Sequence, residues 1–154
     1  MRSPALLLSL ALPCTVLLAQ DPANNAQKAE RLVKAAVAFA NANGVDKLIQ
    51  QTNNADGRFH VGSGSQLYIF VYEFSGVCRA IGYDTQKLVG VNRWDLKDPD
   101  GKFFLREIIA MAKGKGSGWI DYKYTNPQTG RIQAKTSYVE RVGDLVVGAG
   151  IYKD

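Results

Sequence analysis

Histidine and cysteine are nearly missing from this chain, with one of the first and two of the second in 154 residues. His60 follows Arg58 and Phe59 in a loop-like stretch, and no second histidine or cysteine is placed to complete a zinc site. There is no G-x-S-x-G turn, and no serine, histidine and acid that assemble into a triad, so nucleophilic hydrolysis is not expected. Gly114, Gly116 and Gly118 follow a helical stretch and precede a strand, the wrong order for a phosphate-binding loop. Asp98, Asp100, Gly101 and Glu107 match four positions of an EF-hand-like calcium loop, but its first ligand position falls on Leu96. Basic residues are scattered, not clustered among aromatics, so the net charge of +5 does not describe a nucleic-acid surface. Charge-rich and Pro/Ser-rich segments are also lacking, which excludes a disordered chain. Asp121 and Glu140 lie on strands, where alternating charges face solvent. The expectation is a protein that is not an enzyme and carries no metal or cofactor.

What is present begins with a leader. Arg2 is followed by an almost wholly apolar run over residues 5–18, then Ala19 and the polar, turn-prone Gln20, Asp21 and Pro22. This is the pattern of a secretory signal peptide. Residues 1–19 are therefore expected to be cleaved, leaving residues 20–154 as one periplasmic domain. The alternative is an N-terminal membrane anchor, although the run is short for a span of about 20 residues. Lipid attachment at Cys14 is disfavoured by Pro13 before it. Cleavage leaves Cys78 alone in an apolar run, so it forms no internal disulfide and reads as a small buried hydrophobe.

Asn24 and Asn25 are N-cap candidates for a long helix. Its apolar stripe is Leu32, Val33, Ala36, Phe39 and Ala40, and Asn43-Gly44 is a stop signal. A shorter helix is expected over residues 45–51. Residues 67–74 alternate, with Leu67, Ile69 and Val71 on one face and Tyr68, Phe70, Tyr72 and Phe74 on the other. Ser75-Gly76 then turns the chain into a second strand at 77–83. After a turn-rich stretch, Asp98-Pro99 reads as a cap and first-turn proline for a helix over 101–113. Strands at 119–125, 131–141 and 145–152 close the chain, separated by turns at 126–130 and at Gly143-Asp144. The order predicts an α+β domain with a five-stranded antiparallel sheet. The N-terminal helix covers one face and a helix-bearing crossover lies over the other, with a cavity beneath the crossover.

Several stretches, in this order and spacing, resemble one family. They are Tyr68-Ile69-Phe70-Val71-Tyr72, Leu88-Val89-Gly90-Val91-Asn92, and the run from Asp95 through Asp98-Pro99-Asp100-Gly101-Lys102-Phe103. Further on come Gly116-Ser117-Gly118-Trp119-Ile120-Asp121-Tyr122-Lys123, Asn126-Pro127 with Thr129-Gly130, and Val142-Gly143-Asp144-Leu145-Val146-Val147-Gly148. Together they resemble the single Cache domain, type 2, over nearly all of the chain after the leader. That resemblance implies a PAS-like sheet and an extracytoplasmic sensor for small organic acids or amino-acid-like metabolites. Here it looks like a free-standing periplasmic form that signals through a membrane sensor partner. It also implies pairing with a second copy through the N-terminal helix.

The aromatic face of Tyr68, Phe70 and Tyr72 is the first candidate pocket wall. Lys135, within a strand, is the candidate anchor for a carboxylate through charge-assisted hydrogen bonds. Tyr138 is a candidate second donor, but strict alternation sets it opposite Lys135 unless a bulge intervenes. Trp119 and Tyr122 are candidates that alternation likewise separates, Tyr122 sharing its face with Ile120 and Tyr124. Trp94 and Arg106 belong to the crossover, Arg106 opposite its apolar stripe and so toward solvent. The competing expectation is an interaction module whose pocket is filled by its own aromatics.

Overall fold

The computed structural model describes residues 22–153. The expected leader at 1–19 lies outside them. The first helix, α1 (Pro22–Asn43), buries Ala29, Val33, Ala36, Val37 and Ala40, positions one helical turn apart. It is already formed at Pro22, so Asn24 and Asn25 lie inside it rather than capping it. Gly44 ends it at φ +91°, a conformation that costs glycine little. Helix α2 (Val45–Asn53) runs two residues beyond expectation, with Asn54 N–H closing its last turn on Gln50 O (3.0 Å).

The five strands are β1 (Phe70–Glu73), β2 (Cys78–Ile81), β3 (Ser117–Thr125), β4 (Ile132–Val142) and β5 (Leu145–Tyr152). They form one antiparallel sheet in the order β2-β1-β5-β4-β3. Strand β1 is shorter than the alternating run that contains it. Ile69 O still accepts Gly82 N–H, but Gly82 O is taken by Val61 and Gly62, so the β1–β2 ladder stops there. The alternation nevertheless holds. Ile69 and Val71 pack in the core beneath α1, and Tyr68, Phe70 and Tyr72 pack in the core on the opposite face.

Between β2 and β3 the crossover carries α3 (Thr85–Leu88), a single turn absent from the expected elements, and α4 (Phe104–Gly114). Helix α4 begins three residues later than the sequence pattern suggests because Asp98 does not cap it. The Asp98 carboxylate instead accepts N–H bonds from Asp100 and Lys102 (both 3.0 Å) and from Lys123 of β3 (3.1 Å). Asp98 thus closes its own turn and ties the crossover to the sheet edge. Phe104, Leu105, Ile108, Ile109 and Ala112 of α4 are buried against the sheet face opposite α1. Among the described residues, no helix is long and apolar enough to cross a membrane.

Candidate functional site

The site grows from two short turns that fix register. Pairing of Thr125 with Ile132 sets Tyr122 opposite Lys135. The reversal at Gly143-Asp144 pairs Val142 with Leu145 and so sets Lys135 opposite Tyr152. Tyr122, Lys135 and Tyr152 therefore form one row across three strands, on the face that α4 covers.

Lys135 lies flat across that face because β5 offers no side chain beneath it. A Cβ on Gly150 would come within 2.9 Å of Lys135 Cε and would overlap Ser137 Oγ. A Cβ on Gly148 would overlap the Phe70 ring. These glycines make the floor on which the Lys135 stem and the Phe70 ring rest.

The amine is buried, with Lys135 only 1% exposed. Its Nζ donates to Tyr68 Oη (2.7 Å). Aromatic rings surround it, with centroids at 4.1 Å (Tyr68), 4.9 Å (Tyr152), 5.5 Å (Tyr124), 5.6 Å (Phe70) and 5.9 Å (Tyr122). None of the ion pairs formed among the described residues involves Lys135. Burial without a counter-charge holds its amine well below the ordinary lysine range. The same burial pushes the phenols of Tyr68 and Tyr122 up, so both keep their protons. Tyr122 Oη meets Ser137 Oγ at 2.9 Å.

The chamber between this row and α4 is nearly closed, with a cavity volume of about 20 Å³, enough for one water. A much larger cleft of about 780 Å³ lies outside it, beneath the crossover. Phe104 and Tyr124 line both spaces and form the partition between them. Phe104 stacks on Tyr122 at 4.8 Å and meets Tyr124 edge-on at 5.7 Å.

Arg93 reaches this partition from the cleft. Its Nη1 donates to Tyr124 Oη (2.6 Å), and its Nε is a buried nitrogen with no hydrogen-bond partner. The sequence pattern does not point to Arg93, which sits in a turn-rich stretch without periodicity. Tyr152 was also missed, although counting back from the Gly143-Asp144 reversal sets it beside Lys135.

Tyr68, Phe70, Tyr72, Tyr122 and Lys135, all candidates from sequence, come together around the chamber. Tyr138 and Trp119 do not. Pairing of β4 with both neighbours is continuous from Lys135 to Tyr138, so no bulge brings the two onto one face. Tyr138 packs in the core under α1, and Trp119, 38% exposed, leans on it at 5.4 Å. The phenol that meets the amine belongs to Tyr68 instead. Arg106 pairs with exposed Asp95 and stacks over Phe103 (3.8 Å), bracing the crossover from outside.

Residues 30–154 match the family described as Single Cache domain 2. The sensor histidine kinase MctS of Rhizobium johnstonii is 39% identical over 94 residues, covering 59% of this chain and 20% of that protein. The chain thus spans about a fifth of that relative's length. A solved structure described as the periplasmic sensor domain of a chemotaxis protein is similar at TM-score 0.67 and 25% identity, covering 88% of this chain and 100% of that one. Another, described as showing carboxylic acid recognition by a Cache chemosensory domain, is similar at TM-score 0.66 and 21% identity, covering 86% and 95%.

Proposed function

The chain belongs to the single Cache domain 2 family, and on that premise we propose that it is an extracytoplasmic sensor module that binds a short carboxylate reversibly against Lys135. The observation that carries this reading is a fully buried amine with no carboxylate partner among the described residues. A buried charge is stable only when paired, and an entering carboxylate supplies the missing charge. Tyr68 contributes a second polar contact, and the ring faces keep water out, which strengthens both. The relative described as recognising a carboxylic acid supports the same ligand class.

A cavity of about 20 Å³ is too small for even a short acid. Entry therefore requires Phe104 and Tyr124 to move and join the chamber to the outer cleft. Such movement of the crossover is the change that a membrane sensor partner would read. A second copy docking through α1 would carry it across a dimer.

The closed chamber also favours a second reading, an interaction module whose aromatics are its own filling. Thermal unfolding against a panel of short organic acids and amino acids separates the two. A ligand at 100 times its dissociation constant stabilises by about 2.7 kcal/mol. A shift that appears with short acids and disappears in Lys135→Met supports the sensor reading. No shift across the panel supports the interaction module. Light scattering that finds only monomer at high concentration refutes pairing through α1.

A further inference from the structure

The hydrogen bonding of Lys135 continues past Tyr68. Tyr68 Oη lies 3.1 Å from Tyr152 Oη, and Tyr152 Oη donates to the carbonyl of Thr125 (2.7 Å). Tyr152 is half-buried and Thr125 is exposed. A chain of two phenols therefore runs from the buried amine to the surface beside the β3–β4 turn.

The groups that face the amine are all of one kind. Tyr68 and Tyr72 come from β1 and the segment before it, Tyr83 from the segment after β2, Tyr122 and Tyr124 from β3, and Tyr152 from β5. Helix α4 contributes Phe104, Leu105 and Ile108, none of which titrates. The nearest full charges are Arg93, held against Tyr124, and Asp84, beside Tyr83 and paired with Lys87, and neither bonds to the amine. Nothing in this wall offsets a positive charge on Lys135 with a negative one.

We propose that the chamber takes up its carboxylate together with one proton, which reaches the Lys135 amine along the Tyr152–Tyr68 chain. This rests on the carboxylate reading above and sharpens its ligand class to a short acid counted with its proton. Before binding, Lys135 is a neutral amine donating to Tyr68. The acid enters as its anion. Tyr152 turns from Thr125, accepts a proton from solvent hydronium at its oxygen and hands its own to Tyr68. Tyr68 in turn protonates the Nζ lone pair. Each phenol gains one proton and loses one, water is left outside, and the new N–H bond completes an ammonium–carboxylate pair of zero net charge. The depression of the Lys135 amine by burial agrees with a neutral starting state. By linkage, affinity falls about tenfold per pH unit wherever the amine is neutral and the acid ionised.

The test is titration calorimetry of the full chain with acetate and with propionate at neutral pH. Two buffers of different ionisation heat, phosphate and Tris, report the protons exchanged. The expected result is one proton taken up per acid bound, and binding that weakens about tenfold for one added pH unit. Binding without proton uptake overturns the inference and leaves the carboxylate reading standing. If neither acid binds, that reading falls and the inference falls with it. Tyr152→Phe is expected to keep the proton count while slowing association in stopped-flow. An unchanged association rate overturns the assigned route.

Discussion

Replacing Lys135 with methionine should make this protein more stable, and by an amount that depends on pH. Methionine keeps the unbranched stem that lies over Gly150 and removes only the amine. Two effects compete at that amine. Desolvation of an ammonium costs several kcal/mol even after relaxation. A desolvated cation over an aromatic ring gains about 2 kcal/mol or more, and five rings lie 4.1–5.9 Å from the amine, but none of them carries the full negative charge that a buried ammonium needs. Desolvation wins, so the folded protein holds the amine neutral over a range in which the unfolded chain protonates it. The sign then follows. Where the unfolded state binds the extra proton, wild-type stability rises with pH, by about 1.4 kcal/mol per unit. That rise ends near the ordinary lysine value of 10.5 and is absent below the depressed folded value. The stability gained by Lys135→Met should therefore shrink by about 1.4 kcal/mol per pH unit across that window. Urea unfolding of both proteins from about pH 6 to about pH 9 measures it, provided the slope with denaturant is unchanged. A difference that does not vary with pH would show that the amine keeps its proton inside the ring cage, and the reasoning would fail.

Gly150→Ala should destabilise by about 1–3 kcal/mol and weaken acid binding, because the new methyl group meets Thr136 backbone oxygen as well as the Lys135 stem; unfolding and calorimetry check both. Tyr138→Phe should leave acid binding within twofold and stability within about 0.5 kcal/mol, since its hydroxyl makes only a long 3.5 Å bond to Glu140 on the far face. A large loss of binding in that variant would mean the faces are wrongly assigned. Phe104→Ala should open the partition, cost about 3–5 kcal/mol and speed acid association in stopped-flow, where unchanged kinetics would place the entry elsewhere.

The parts of this molecule that were legible in its sequence are those governed by short periods. Alternation from Leu67 to Phe74 assigned both faces correctly, although only four residues of that run pair as β1. The limits of β5 were equally plain. Failures came where a side chain competed with the backbone pattern. Asp98 has the look of a helix cap, yet its carboxylate is used by its own turn and by Lys123, 25 residues away. Helix α3 follows Asp84 at φ +45°, a left-handed conformation that composition does not announce. Whether Tyr138 could join Lys135 on one face turned on whether β4 bulges, and its pairing runs on without one. Tyr68, 67 residues from Lys135 along the chain, is the phenol that meets the amine, and no local pattern shows that pairing. Sheet order decides it, because β1 lies against β5 and carries Tyr68 to the amine.

The chamber also explains why stability and recognition pull against each other at one residue. An apolar side chain at position 135 would complete the core formed by Phe70, Leu105, Ile108 and Tyr122 at no desolvation cost. The lysine instead buries a neutral amine there, which takes a charge only beside a negative partner. On the proposed reading, that pairing gives a carboxylate a free energy of binding that an apolar molecule of the same size cannot reach. On the proposed reading binding is also tied to the crossover, because Phe104 and Tyr124 line both the chamber and the outer cleft, and Tyr124 is held by Arg93. A ligand shifts a conformational equilibrium only as far as its affinities for the two forms differ. Here the difference arises because a closed partition admits about one water, and an acid fits only the opened form. Breaking the Arg93–Tyr124 bond without touching Lys135, as in Arg93→Met, should therefore favour opening and tighten apparent acid binding. Weaker binding in that variant would mean that Arg93 grips the ligand itself and is not a latch on the partition.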